Sequence, residues 1–254
     1  AQRPCQTGEA TGCHDKITLI QAKFSDPMLT VDQVNTMLSL QQSMNNRVDP
    51  NWKTARYPYL RAVVIEGAEA IEHHGWKWWK KQELDLAQLQ MELIDIWHFI
   101  LSELLIRSGE SESKARESLQ AALFTISATR ELQFDGEIYR LAELSLLEKL
   151  ELLIGLSAAR RIEIPVFASI MTDCQLSWTE LFLQYVGKNV LNFFRQDNGY
   201  KEGTYRKVWS GREDNEVLIE IIQSLDACQS DFKDEIYASL KTAYETSKES
   251  SITE

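Results

Sequence analysis

Paired cysteines are absent from this 254-residue sequence: Cys5, Cys13, Cys174 and Cys228 lack the short spacings that zinc ribbons and redox dithiols require. They read as free thiols of a reducing compartment rather than as a disulfide between Cys5 and Cys13. Long apolar runs are missing too. Nothing approaches the roughly 20 residues of a membrane span, and no basic region followed by an apolar stretch opens the sequence. The expected setting is intracellular, cytoplasmic or nuclear, with no membrane partner. Positive charge is scarce: 27 Lys and Arg face 38 Asp and Glu, for a net charge of −11. That balance argues against a broad electrostatic grip on nucleic acid and suits a site that gathers cations. The motifs GxxxxGK[ST], GxGxxG, HExxH and GxSxG are also lacking, so phosphate chemistry here would have to rest on metal and side chains.

What the sequence does have is helical periodicity and, at 44% hydrophobic residues, material for a substantial core. The polar segment 1–25 reads as weakly ordered, and 26–254 as a single all-α domain. Asp26-Pro27 is a helix-start signal, and Asp49-Pro50 a stop. Further helices are expected over Tyr59 to His74, closed by Gly75, and over Leu84 to Arg107, with Gly109 beyond, the two forming an antiparallel pair. Periodicity continues over Ser113 to Arg130, Leu141 to Arg160, Phe167 to Asn198, Glu213 to Ala227 and Asp231 to Ser247. Strand-like alternation bounded by hairpin turns is hardly visible.

Two acidic pairs stand out. Glu66 and Glu69 share a helix face beside Val63, Val64, Ile65, Ala68, Ala70 and Ile71. Glu92 and Asp95 repeat the three-residue spacing in an otherwise apolar helix, where Glu92, Asp95, His98, Phe99 and Ser102 occupy about one third of the circumference. Burying a lone carboxylate costs several kcal/mol, so such groups must find cations, take up protons or bind metal. Lys77, Lys80 and Lys81 offer an ion-pair explanation. Four converging carboxylates offer another, a site for hard divalent cations, with carboxylate-bridged iron as the competitor.

Lys188, Asn192 and Arg195 share one helical face and lead into a loop carrying Tyr200, Lys201, Gly203, Thr204, Tyr205, Arg206 and Lys207. In an acidic protein this reads either as a phosphate clamp or as a solvated loop paired with Asp197 and Glu202. Trp76, Trp78 and Trp79 fall between the acidic pairs; one could stack on a base, while Trp76 and Trp78 read as interhelix packing. Gln41 and Asn45, four apart, could hydrogen-bond a base edge or simply sit at the surface.

Taken in order, LQQSMN, EGAE, GWKWWK, ELIDIWHF and NFFRQDNGYKEGTYRKVWSGREDN resemble the dimeric dUTPases of the all-α NTP pyrophosphatase superfamily. The resemblance implies a helical bundle with a part able to move, a homodimer, and Mg²⁺-dependent hydrolysis of dUTP and dUDP to dUMP by water attack at the β-phosphorus. It implies Glu66, Glu69, Glu92 and Asp95 as magnesium ligands, with Asn192 near a metal and Glu66 and Glu69 in the catalytic role. Gln41 and Asn45 would read uracil, Trp79 would stack on it, and His98 and Phe99 would line the deoxyribose pocket. Lys188, Asn192, Arg195, Tyr200 and Lys207 would hold phosphates. A related specificity, such as dCTP, and a carboxylate-bridged metal protein are the alternatives. Residues 110–165 carry no usable resemblance.

Overall fold

The computed structural model describes residues 28–109, 111–225 and 231–250. Segment 1–25, the Asp26-Pro27 helix start, Ala227 and Cys5, Cys13 and Cys228 lie outside those residues. Helix α1 (Val31–Val48) opens on a reciprocal cap: Thr30 Oγ1 accepts from the Gln33 N–H, and the Gln33 side chain accepts from the Thr30 N–H. It ends at Asp49, ahead of Pro50. A one-turn helix, α2 (Trp52–Ala55), then buries Trp52, a feature the periodicity did not reveal.

Helices α3 (Tyr59–His74) and α4 (Leu86–Arg107) run antiparallel. His73 meets Asp85 and Glu92, while Tyr59, one helix length earlier, meets Phe99. The second of these helices starts two residues later than expected because the Asp85 side chain caps Gln88 N–H. On its other side α3 lies against α6 (Leu146–Ala158), and the close approach depends on Gly67: a Cβ there would come within 2.8 Å of Ile154 Cγ1.

Two helix expectations are corrected. The helix expected to run to Arg130 is α5 (Glu112–Thr125), followed by a hairpin of β1 (Glu131–Phe134) and β2 (Glu137–Arg140) in antiparallel register, Phe134 opposite Glu137. Its turn is Asp135-Gly136, both residues at positive φ (50° and 84°), which is the type I′ arrangement that favours Asp-Gly. The helix expected over Phe167–Asn198 is two helices, α7 (Ile164–Asp173) and α8 (Trp178–Asp197). Gln175 takes a left-handed φ of 54° between them, and Ser177 with Glu180 forms a fresh capping box. A two-residue hairpin, β3 (Val208–Trp209) and β4 (Arg212–Glu213), precedes α9 (Asp214–Ser224) and α10 (Phe232–Ser250).

Among the described residues the fold is therefore all-α, with two small hairpins. Helix α4 runs through the core, where Trp97 stacks on Phe167 at 5.1 Å and donates to Met37 Sδ. Helices α1, α4 and α8 pack on one another, and their common side opens into the main cleft.

Candidate active site

A cleft of about 920 Å³ lies between α1, α3, α4, α8 and the start of α9. One wall is acidic. Glu66 and Glu69 project from the same face of α3, and the antiparallel α4 turns Glu92 toward them, so that one carboxylate oxygen of each lies within 4.8 Å of the others. Burial, with Asp95 and Glu69 nearby, pushes the Glu66 carboxyl up to about 7. Burial, with Asp95 and Glu66, pushes Glu92 up to about 8. The loop lysines pair elsewhere, Lys77 with Glu72 at 2.7 Å and Lys81 with Glu83 at 3.3 Å, while His73 Nε2 lies 3.5 Å from Glu92 Oε1. Asp95 lies beside them in the cleft, its Oδ2 accepting from Lys188 Nζ at 2.8 Å.

The opposite wall carries donors. Lys188 is almost fully buried and divides its ammonium between Asp95 and Asn215 Oδ1, the latter at 2.9 Å. Arg195 is clamped by Asp214 through Nε at 2.8 Å and an outer guanidinium nitrogen at 2.7 Å, and also reaches Asn215 and Asn192. Asp214, wholly buried, accepts in addition from Tyr205 O–H at 2.7 Å. Tyr200 and Lys207 line the cleft as well; the Arg195 guanidinium lies 5.9 Å from the Tyr200 ring, and Lys207 pairs with Glu213 at 3.5 Å.

At the apolar end Gln41 and Asn45 are buried rather than surface amides, hydrogen-bonded to each other and to His98 and Ser102. Complete burial holds His98 down to about 3, so its imidazole is neutral. Phe99 stacks on Tyr59 beside it. Trp79 is 59% exposed and outside the lining of the cleft, packed edge-on against Trp76 and Trp78. Trp78, at 86% exposure, does not serve the interhelix packing expected of it.

The structure thus brings all the expected site residues except Trp79 to one cleft. It adds Asn215 in the lining and Asp214 buried behind Arg195, both of which sequence reasoning left without a role. Their only signal was position: they open a helix just after the cationic loop, inside the REDN end of a noted segment.

A family model described as dUTPase matches residues 33–200. The chain belongs to the all-α dimeric dUTPase family. No curated protein matches it. As a dUTPase the chain is a hydrolase acting on dUTP, and enzymes of this kind use a divalent metal. The matched span takes in both acidic pairs, both buried amides and the cationic face of α8. The residues present fit such an ion: three carboxylates crowd together, burial raises the Glu66 and Glu92 carboxyls, the condition a hard cation relieves, and all three offer oxygen. The carboxylate-bridged iron alternative is not favoured, because the matched family is one of dUTPases. Among the described residues no helix is long and apolar enough to cross a membrane.

Proposed function

We propose that this dUTPase converts dUTP, and dUDP, to dUMP with magnesium, by attack of water at the β-phosphorus. The observation that carries the reading is the opposition of an acidic triplet and a buried cationic wall across a single cleft. Glu66, Glu69 and Glu92 would hold magnesium, with Asp95 and Asn192 close by. Magnesium, when bound, supplies charge neutralisation for the phosphate oxygens and acidifies the attacking water.

The protein's own residues carry the remainder. Glu66 orients the water and takes its proton, as a carboxylate within reach of the attacking water can. Glu69 keeps a second carboxylate on the same face to complete the ligand group. Lys188 and Arg195 face the negative charge of the phosphates, and because Asp214 fixes the guanidinium, little reorganisation is left at the moment of reaction. Gln41 and Asn45 read the uracil edge, Phe99 and His98 border the sugar, and Trp79 stacks on the base when its loop folds inward. The functional unit is a homodimer, a reading supported by the exposed Ile65 and Tyr57 beside an apolar hollow.

Turnover in water enriched in heavy oxygen tests the bond cleaved. Attack at the β-phosphorus puts the label into pyrophosphate from dUTP and into inorganic phosphate from dUDP. Label in dUMP would overturn the assignment.

A further inference from the structure

Behind the base end of the cleft, buried polar side chains join into one directed series of hydrogen bonds. The Tyr185 hydroxyl hydrogen is shared between the Met37 carbonyl and Gln41 Oε1, each at 2.9 Å, and His98 Nδ1 lies 2.8 Å from the same Gln41 oxygen. Gln41 Nε2 donates to Asn45 Oδ1 at 3.0 Å, and Asn45 Nδ2 donates to Ser102 Oγ at 3.1 Å. The Ser102 hydroxyl ends on the His98 carbonyl at 3.0 Å, with Asn45 Oδ1 a longer second acceptor at 3.3 Å. Tyr185 and Ser102 are completely buried and the others nearly so.

Such a series has a polarity, because each amide turns an oxygen one way and a nitrogen the other. With the Gln41 oxygen facing Tyr185 and His98, the neutral imidazole must carry its hydrogen on Nδ1. Its Nε2 is then a bare lone pair, and that atom is buried without a partner among the described residues, in a side chain that lines the cleft. The amide nitrogens of Gln41 and Asn45 each keep one hydrogen outside the series. In the reverse polarity Asn45 would take the Ser102 hydrogen. The hydroxyl oxygen would then face the His98 carbonyl at 3.0 Å with no hydrogen between two acceptors.

We propose that Tyr185 is a positioning residue for base selection: its hydroxyl pins the Gln41 oxygen, and through Gln41 it sets the donor hydrogens of the amides and the acceptor nitrogen of His98. Uracil presents two carbonyl oxygens flanking an imide N–H, which matches amide donors and one bare acceptor. Cytosine presents an amino group and an unprotonated ring nitrogen in place of one carbonyl and the N–H. It would meet donor with donor and acceptor with acceptor, the mismatch that a site of buried polar groups rejects most strongly. The inference rests on the proposed base-reading role of Gln41 and Asn45, and adds to the sugar-bordering role of His98 an acceptor, Nε2, for the imide N–H.

Nitrogen NMR of isotopically labelled, substrate-free protein reads the His98 tautomer, and steady-state kinetics with dUTP and dCTP read the discrimination. The expected result is the Nδ1–H tautomer, the less favoured one in water, together with a preference for dUTP. In Tyr185→Phe the Nε2–H form should appear, and the ratio of kcat/KM for dUTP over dCTP should fall by ~10-fold or more, chiefly through KM. A wild-type protein with the Nε2–H tautomer overturns the polarity, whatever its base preference. A Tyr185→Phe variant that keeps both tautomer and ratio overturns the role of Tyr185. Should that variant fail to fold, the wild-type tautomer still decides the polarity, and Ser102→Ala, cutting the far end of the series, should lower the same ratio. Absence of a dUTP preference in the wild type would overturn the base-reading role instead, leaving the tautomer to decide the polarity separately.

Discussion

Glu66 and Glu92 hold their protons up to about 7 and about 8 chiefly because they are buried, and further because Asp95 and the neighbouring carboxylates lie close to both. Their ordinary value is 4.5, so between 4.5 and 8 the folded protein binds more protons than the unfolded chain. The sign follows: their contribution to stability is fully present below 4.5 and is lost as the pH climbs through the folded values of about 7 and about 8. Melting in chelator should therefore give a lower Tm at about pH 8.5 than at about pH 6, and magnesium at the higher pH should restore it. A Tm indifferent to both would contradict the crowding. At this scale the sequence was informative where spacing along one helix suffices, as for Glu66 with Glu69 and Lys188 with Arg195. It was silent on Asp214, whose meaning depends on Arg195 coming to it from another helix. It also could not show that Asp95 accepts from Lys188.

Between the acidic pairs the α3–α4 loop and the α3–α6 contact do different work. Gly67 sits between Glu66 and Glu69 and lets α3 close on Ile154, which fixes the angle at which both carboxylates meet α4. Gly67→Leu should destabilise the protein by roughly 1–3 kcal/mol through overpacking, measured by urea denaturation, and lower activity further by displacing the acidic face. Unchanged stability would mean that α6 gives way easily. The tryptophan loop is the element whose observed position departs most from its proposed role. Trp79→Ala should raise KM for dUTP by ~10-fold with little change in Tm, as loss of one base–aromatic stack implies. An unaltered KM would mean that Trp79 never leaves its neighbours Trp76 and Trp78. The bounds of α3 were legible because apolar periodicity and Gly75 agree. The hairpin at 131–140 was hidden because its four-residue strands are too short for alternation to register, although Asp135-Gly136 signalled the turn. The division between α7 and α8 was hidden because apolar residues continue on either side of a left-handed Gln175, although Ser177 with Glu180 marked a new start.

Over the whole molecule, the arrangement amounts to four helices and the start of a fifth meeting at a cleft whose two walls have opposite charge, with a polar base pocket at one end. The acidic surplus of the chain, −11, makes the inward concentration of Lys188 and Arg195 a local feature of this cleft rather than part of a general basic surface. The central claim is that this cleft is a metal-dependent site for deoxyuridine nucleotides. Its most direct test is release of pyrophosphate from each dNTP, and of phosphate from dUDP, by the wild type and by Glu69→Gln, with magnesium and with EDTA. The account predicts turnover confined to dUTP and dUDP, abolished by EDTA, and absent in a Glu69→Gln variant that remains folded. Turnover that survives EDTA or the substitution, or a preference for another base, would contradict it.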